Sequence, residues 1–243
     1  SFVDLRALFK ASPKAFGGRH FGSRLIFDRT GHLFMTYGDR GSRQEAQNLR
    51  RHEGSIFRFT ADGEVPKDNP FVGKSEARPE IFSFGHRNVQ GAALNPKTGV
   101  LWVHEHGPQG GDEVNILKYG ANYGWPVITY GEEYGGGSIS NFTHKEGMEQ
   151  PVLYWVPSIA PSGMTFYDGE RFPRWKGDLF VGALRGAHLR RISFKEDLVL
   201  GQEQLLVELE ERIRDVREGP DGYIYILTDS SNASLIRLEP VPR

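Results

Sequence analysis

The run Glu105-His106-Gly107-Pro108-Gln109-Gly110-Gly111-Asp112-Glu113-Val114-Asn115 crowds glycines and a proline beside three carboxylates. Such a backbone bends tightly and turns its carbonyls outward. Carbonyls and carboxylates together are what calcium binds, six to eight oxygens at about 2.3–2.6 Å. A second group of residues has the types needed to move protons and hold anions. His20 and Asp39 stand nineteen residues apart, and guanidinium groups recur at Arg87 (followed by Asn88), Arg185, Arg212 and Arg214. Arg212 and Arg214 alternate on a strand-like stretch, so they share one face, the geometry of a two-armed clamp on a carboxylate.

The elements that must position these groups are legible as a repeat. Phe27–Thr36, Leu94–Val103, Phe172–Val181 and Glu218–Leu227 follow one plan, a turn ending in glycine and then an apolar, β-prone strand. Gly31, Gly99, Gly177 and Gly222 recur about every 64 residues, long enough for a four-stranded blade with its loops. The expected fold is therefore all-β, a β-propeller with about four blades in this chain. Helical periodicity is weak; Gln202 to Glu211 reads as strand and loop, and the first ten residues are expected to complete a strand. In a propeller the innermost strand of every blade runs along the central channel. Equivalent entry positions then converge on one axial pocket: His20, Arg87, Asn88, Arg212 and Arg214, with Asp39, His106, Arg185 and Asp229 returning to the same face on the next strands. Several arginines with no balancing carboxylate cluster call for an anionic ligand.

Composition narrows the partners. Thirty basic residues against thirty-one acidic give a formal net charge of −1, with no block of like charge to draw the chain to nucleic acid or a membrane surface. There is no cysteine, hence no disulfide, thiolate metal site or cysteine nucleophile. No eighteen apolar residues run together and no signal peptide opens the sequence, so membrane insertion is not expected.

The strings His20-Phe21-Gly22-Ser23-Arg24-Leu25, Gly85-His86-Arg87-Asn88-Val89-Gln90-Gly91, Glu105 to Asn115, Asn122-Tyr123-Gly124-Trp125-Pro126, Ser158-Ile159-Ala160-Pro161-Ser162-Gly163 and Arg212-Ile213-Arg214-Asp215-Val216 resemble the soluble pyrroloquinoline quinone (PQQ)-dependent sugar dehydrogenases. This is the glucose/sorbosone dehydrogenase family, and the likeness is greatest to its aldose sugar dehydrogenase branch. The resemblance implies a six-bladed propeller for the complete protein, of which residues 1–243 would be a single domain lacking its N-terminal part. It also implies oxidation of the anomeric C1 of aldoses to lactones by hydride transfer to the quinone. His20 matches the general base and Asp39 the residue that orients it. The carbonyls of Gly107 and Pro108 match ligands of a catalytic calcium; Glu113 and the Tyr123 carbonyl, with Asp112 adjacent, match a second, structural calcium. Arg87, Asn88, His106, Arg185, Arg212 and Arg214 match cofactor contacts, with Gln44 and Ser158 in a second tier. Some relatives carry Gln at His106 and Lys at Arg185. Trp125, Trp155 and Trp175 read as packing between sheets. A periplasmic or secreted location and an electron acceptor other than oxygen also follow from the resemblance.

Two other classes compete with this reading. A non-enzymatic, calcium-stabilised sugar-binding propeller would have no need of His20, Asp39 and the arginines together. A calcium-dependent lactone hydrolase would put a ring of Glu, Asn and Asp ligands where the arginines stand. The preferred sugar, the acceptor and the oligomeric state are not legible.

Overall fold

The computed structural model describes residues 5–14 and 17–241. Among the described residues, fifteen strands form four antiparallel sheets, each a run of consecutive strands. The first holds β1 (Leu25–Phe27), β2 (Leu33–Tyr37), β3 (Ser55–Phe59) and β4 (Ile81–Phe84). The second holds β5 (Val89–Leu94), β6 (Leu101–Glu105), β7 (Asp112–Ile116) and β8 (Leu153–Trp155). The third holds β9 (Pro161–Phe166), β10 (Leu179–Ala183), β11 (His188–Lys195) and β12 (Leu198–Leu205). The fourth holds β13 (Ile213–Glu218), β14 (Ile224–Thr228) and β15 (Leu235–Leu238).

Each repeated glycine sits in the turn between the first and second strands of its sheet. Its φ is +84° at Gly31, +74° at Gly99, +89° at Gly177 and +76° at Gly222, a region that costs a residue bearing Cβ but not glycine. The repeat in the sequence is thus a repeat of one hairpin. Residues 202–211 end β12 and enter a short 3-10 turn, Val207–Leu209. The expected strand over the first ten residues does not form at 5–10, and residues 1–4 lie outside the described part.

Apolar side chains of the facing sheets close three cores. Phe34, Ile56, Val89 and Val103 join the first sheet to the second. Trp102, Met164, Leu179 and Ile192 join the second to the third. Phe180, Ile213, Val216 and Ile226 join the third to the fourth. Trp102 is fully buried and meets Phe166 edge-on at 5.4 Å. Trp155 lies in the second of these cores, and Trp175 stacks on Phe172 at 4.4 Å beside the third. In consequence the first strands line up, β1 beside β5, β5 beside β9, β9 beside β13. The residues at their entries are brought to one region. Among the described residues, no helix is long and apolar enough to cross a membrane.

One buried group makes the sheets sensitive to acid. His104 on β6 is wholly buried, and neither ring nitrogen makes a well-formed hydrogen bond. The facing residue is Gly91, where a Cβ would lie 2.1 Å from His104 Nε2. Burial, with the charges of His106 and Arg24, holds the imidazole well below the usual histidine range. The unfolded chain therefore takes up a proton at about pH 6.5 that the folded chain refuses, and stability falls as pH drops below that value, by about 1 kcal/mol per pH unit. His104→Asn is expected to flatten the decline in thermal midpoint between pH 7 and pH 5. An unchanged decline would assign the acid sensitivity elsewhere.

Candidate active site

His20 enters the site on a tight bend just before β1, at φ +54°. Gly38 passes directly beneath it; a Cβ there would fall 2.1 Å from the His20 carbonyl oxygen, so only glycine permits the approach. Asp39 follows, and its carboxylate is 1% exposed. Its Oδ1 lies 2.6 Å from His20 Nδ1 and accepts the Gly41 N–H at 2.7 Å, while Oδ2 accepts the Trp125 indole N–H at 2.8 Å. Burial pushes this carboxyl upward, but the bonds from His20, Gly41 and Trp125 outweigh it and bring it below the ordinary carboxylate range. An ionised carboxylate only accepts, so Nδ1 carries the ring proton and Nε2 presents a lone pair when the ring is neutral.

Arg87 ties this dyad to the second sheet. Its N–H donates to Glu105 Oε2 at 2.5 Å, its carbonyl accepts the Asp39 N–H at 2.8 Å, and its guanidinium donates to the His106 carbonyl at 3.0 Å. The second Glu105 oxygen faces His86 Nδ1 at 2.9 Å. Asn88 Oδ1 accepts from Gly22 N and Gln90 Nε2. The result is a cavity of about 390 Å³ whose walls include His20, Arg43, Arg87, Pro108, Trp125 and Glu133.

Asp112 shapes the glycine-rich loop. Its Oδ1 accepts the Gly107 N–H at 2.9 Å, and Oδ2 accepts the Ser158 hydroxyl at 2.7 Å and the Ile159 and Ala160 N–H groups at 2.8 and 3.0 Å. Four donors occupy both oxygens, so this carboxylate organises the loop from behind. Among the described residues, no hydrogen bond is made to the carbonyls of Gly107 or Pro108. Two bare carbonyls beside an arginine-lined cavity fit a calcium ion that takes main-chain oxygens. His106 Nε2 donates to the Pro161 carbonyl at 2.6 Å, and burial lowers the pKa of its ring.

A smaller void of about 10 Å³, near one atom's size, is bordered by Glu105, Gly107, Glu113 and Tyr123. Burial, then the charge of Glu105 opposite it, pushes the Glu113 carboxyl up to about 8. A cation there would relieve that repulsion, so Glu113 fits the second calcium position. The Tyr123 hydroxyl donates to the Ile116 carbonyl at 2.6 Å, and no hydrogen bond among the described residues uses the Tyr123 carbonyl.

The remaining expected residues are dispersed. Arg212 and Arg214 do share a face, but both donate to Asp229 Oδ2, at 2.9 and 2.8 Å, so the absence of a balancing carboxylate is corrected. Arg214 borders a separate cavity of about 200 Å³ with Arg24, Gln90 and Ser162. Gln44 lines a third, of about 430 Å³. Arg185 is exposed, and Ser158 is spent on Asp112. Trp125 does more than pack: besides holding Asp39 it lies under Arg43 and Arg87, whose guanidinium carbons sit 5.8 and 5.4 Å from its ring. Its place in the Asn122–Pro126 string was the available signal. Arg43 carried none, and Glu133 only its place in the glycine-rich rim loop from Tyr130 to Glu149.

The sequence profile of the glucose/sorbosone dehydrogenases matches residues 1–237. The aldose sugar dehydrogenase YliI of Escherichia coli is 47% identical over 240 residues, 98% of this chain and 65% of that protein. The chain therefore spans just under two thirds of that relative's length. A glucose dehydrogenase of known structure superposes with a TM-score of 0.96 at 48% identity, over 98% of this chain and 69% of that one. A PQQ-bound aldose sugar dehydrogenase from Streptomyces coelicolor superposes with a TM-score of 0.73 at 31% identity, over 92% of this chain and 63% of that one. With a profile match along nearly its whole length and the fold of those dehydrogenases, the chain belongs to the glucose/sorbosone dehydrogenase family.

Proposed function

We propose that the protein is a PQQ- and calcium-dependent dehydrogenase that oxidises the anomeric carbon of aldoses to lactones and passes the electrons to an acceptor other than oxygen. The observation that carries this reading is the His20–Asp39 dyad opening on the same cavity as Arg87 and Pro108. In the whole protein the four sheets are blades of a six-bladed β-propeller. The lined-up first strands and the share of the relatives' length that the chain spans support that count. A protein without cysteine and with such relatives fits a periplasmic or secreted location.

When bound, the quinone supplies a two-electron acceptor and calcium a Lewis acid that polarises its carbonyl. The residues of this chain supply the rest. His20 Nε2 takes the proton of the anomeric hydroxyl, and Asp39 stabilises the imidazolium that results. Arg87 and Asn88 hold cofactor carboxylates from one side of the site and Arg214 from the other; Arg212 shares the Asp229 support of Arg214. The main-chain oxygens of Gly107 and Pro108 hold the catalytic ion, and Glu113 with the Tyr123 carbonyl holds the structural one.

The test is to load the full-length protein with PQQ and calcium and follow reduction of an artificial dye by aldoses. Turnover is expected; sugar binding without turnover would mark a binding scaffold. Chelation is expected to remove activity and lower the thermal midpoint together, with calcium restoring both, because an ion held only by the folded state stabilises it by about 3 kcal/mol at a hundredfold excess over Kd. A midpoint indifferent to chelator would remove the structural ion from the account.

A further inference from the structure

The long connection from β7 to β8 supplies Glu133, Tyr134 and Gly135 to the cavity wall and is held in shape by three sets of contacts. Gln109, next to Pro108, exchanges main-chain hydrogen bonds with Glu132 in both directions, at 3.0 and 3.1 Å. Glu133 closes a turn with Gly136 and Gly137. From the opposite side Arg43, four residues past Asp39, forks onto both Glu133 carboxylate oxygens at 2.5 and 3.2 Å. The turn thus fixes Glu133 and Tyr134 in the wall of the cavity that holds His20. Tyr134 is 72% exposed, so its ring is free to meet a ligand in the cavity it lines.

The two carboxylates of this cavity differ in what they have left to give. Asp39 holds three donors and is 1% exposed, so a ligand cannot reach what its oxygens have left. Glu133 spends one bond per oxygen on Arg43, and each carboxylate oxygen can take two. Neutralised by Arg43 yet keeping free acceptor positions, Glu133 suits a neutral ligand rich in hydroxyl donors.

We infer that Glu133 and Tyr134 form the sugar-recognition wall: the Glu133 carboxylate, positioned by Arg43, accepts hydrogen bonds from ring hydroxyls of an aldose, and the Tyr134 ring covers its apolar C–H face. This rests on the dehydrogenase reading above. It separates the cofactor end of the cavity, at Arg87 and Pro108, from the substrate end.

The experiment measures D-glucose oxidation by the full-length holoenzyme. It also measures binding of 1,5-anhydro-D-glucitol by tryptophan fluorescence; that sugar lacks the anomeric hydroxyl and cannot be oxidised at C1. Glu133→Gln is expected to raise both the KM for glucose and the Kd for the anhydro sugar about tenfold, the loss of one charge-assisted bond. Its kcat should fall less than about threefold, and its affinity for PQQ should stay at the wild-type value. Tyr134→Ala should act likewise and Tyr134→Phe should not. Across a set of deoxyglucoses, the Glu133→Gln penalty should vanish for the analogue lacking the hydroxyl that Glu133 accepts. A penalty spread evenly over all deoxyglucoses would reduce Glu133 to a loop tie and overturn the inference, as would an unchanged Kd. Wild-type protein that binds the anhydro sugar through Glu133 yet never oxidises glucose would instead overturn the dehydrogenase reading and leave the wall standing.

Discussion

His20→Ala is expected to lower kcat by about 10²–10⁴-fold while PQQ still binds, because only the proton acceptor is lost. The expectation follows from the tautomer. Asp39, ionised and buried, accepts a hydrogen bond from the Nδ1–H, which leaves Nε2 as the one basic nitrogen facing the cavity. Asp39→Asn tests the same arrangement from behind. Three N–H groups point at the Asp39 carboxylate, and an amide puts its own NH₂ against at least one of them. Asp39→Asn should therefore also lower kcat, with little effect on cofactor affinity. Loss of PQQ binding in His20→Ala with kcat preserved at saturating cofactor would mean that His20 holds the cofactor rather than the proton.

Asp112→Ala is expected to cost about 3–5 kcal/mol, since it strands four donors, of which the Ala160 N–H alone keeps another acceptor, the Ser158 hydroxyl oxygen. For a chain of this size that is a fall of about 10 °C in thermal midpoint. The side chain joins the Gly107 N–H to the Ser158–Ala160 turn, so its loss also frees the two bare carbonyls from their fixed place. If Asp112 acts as this anchor, most of the fall persists in the presence of chelator. A fall that disappears on chelation would instead make Asp112 a calcium ligand.

What the sequence could reveal followed from local rules. The four turn glycines found the four sheets because a positive φ beside a β-prone run is written in adjacent residues. Alternation placed Arg212 and Arg214 on one face. What it could not reveal were partners set by folding over long distances. Asp229 is expected on the same face, but its reach back across fifteen residues and more to balance both arginines is not. Trp125 travels 86 residues to hold Asp39, and Glu133 travels 90 to meet Arg43. Gln44, only five residues beyond Asp39, lies in a 3-10 helix, Arg43–Gln47, and lines a different cavity. The strand expected near the N-terminus failed for a related reason. An apolar pattern proposes a strand, but a neighbouring edge must accept it, and over 5–10 none does.

The central claim is that one cavity holds the dyad, the arginine and the bare carbonyls around a single redox cofactor. A crystal structure of the full-length protein with PQQ and calcium bound tests it most directly. The expected result is the quinone ring in the cavity beside His20 and Arg87, with calcium in contact with the carbonyl oxygens of Gly107 and Pro108. Cofactor bound elsewhere on the protein, with His20 Nε2 facing only solvent, would contradict it.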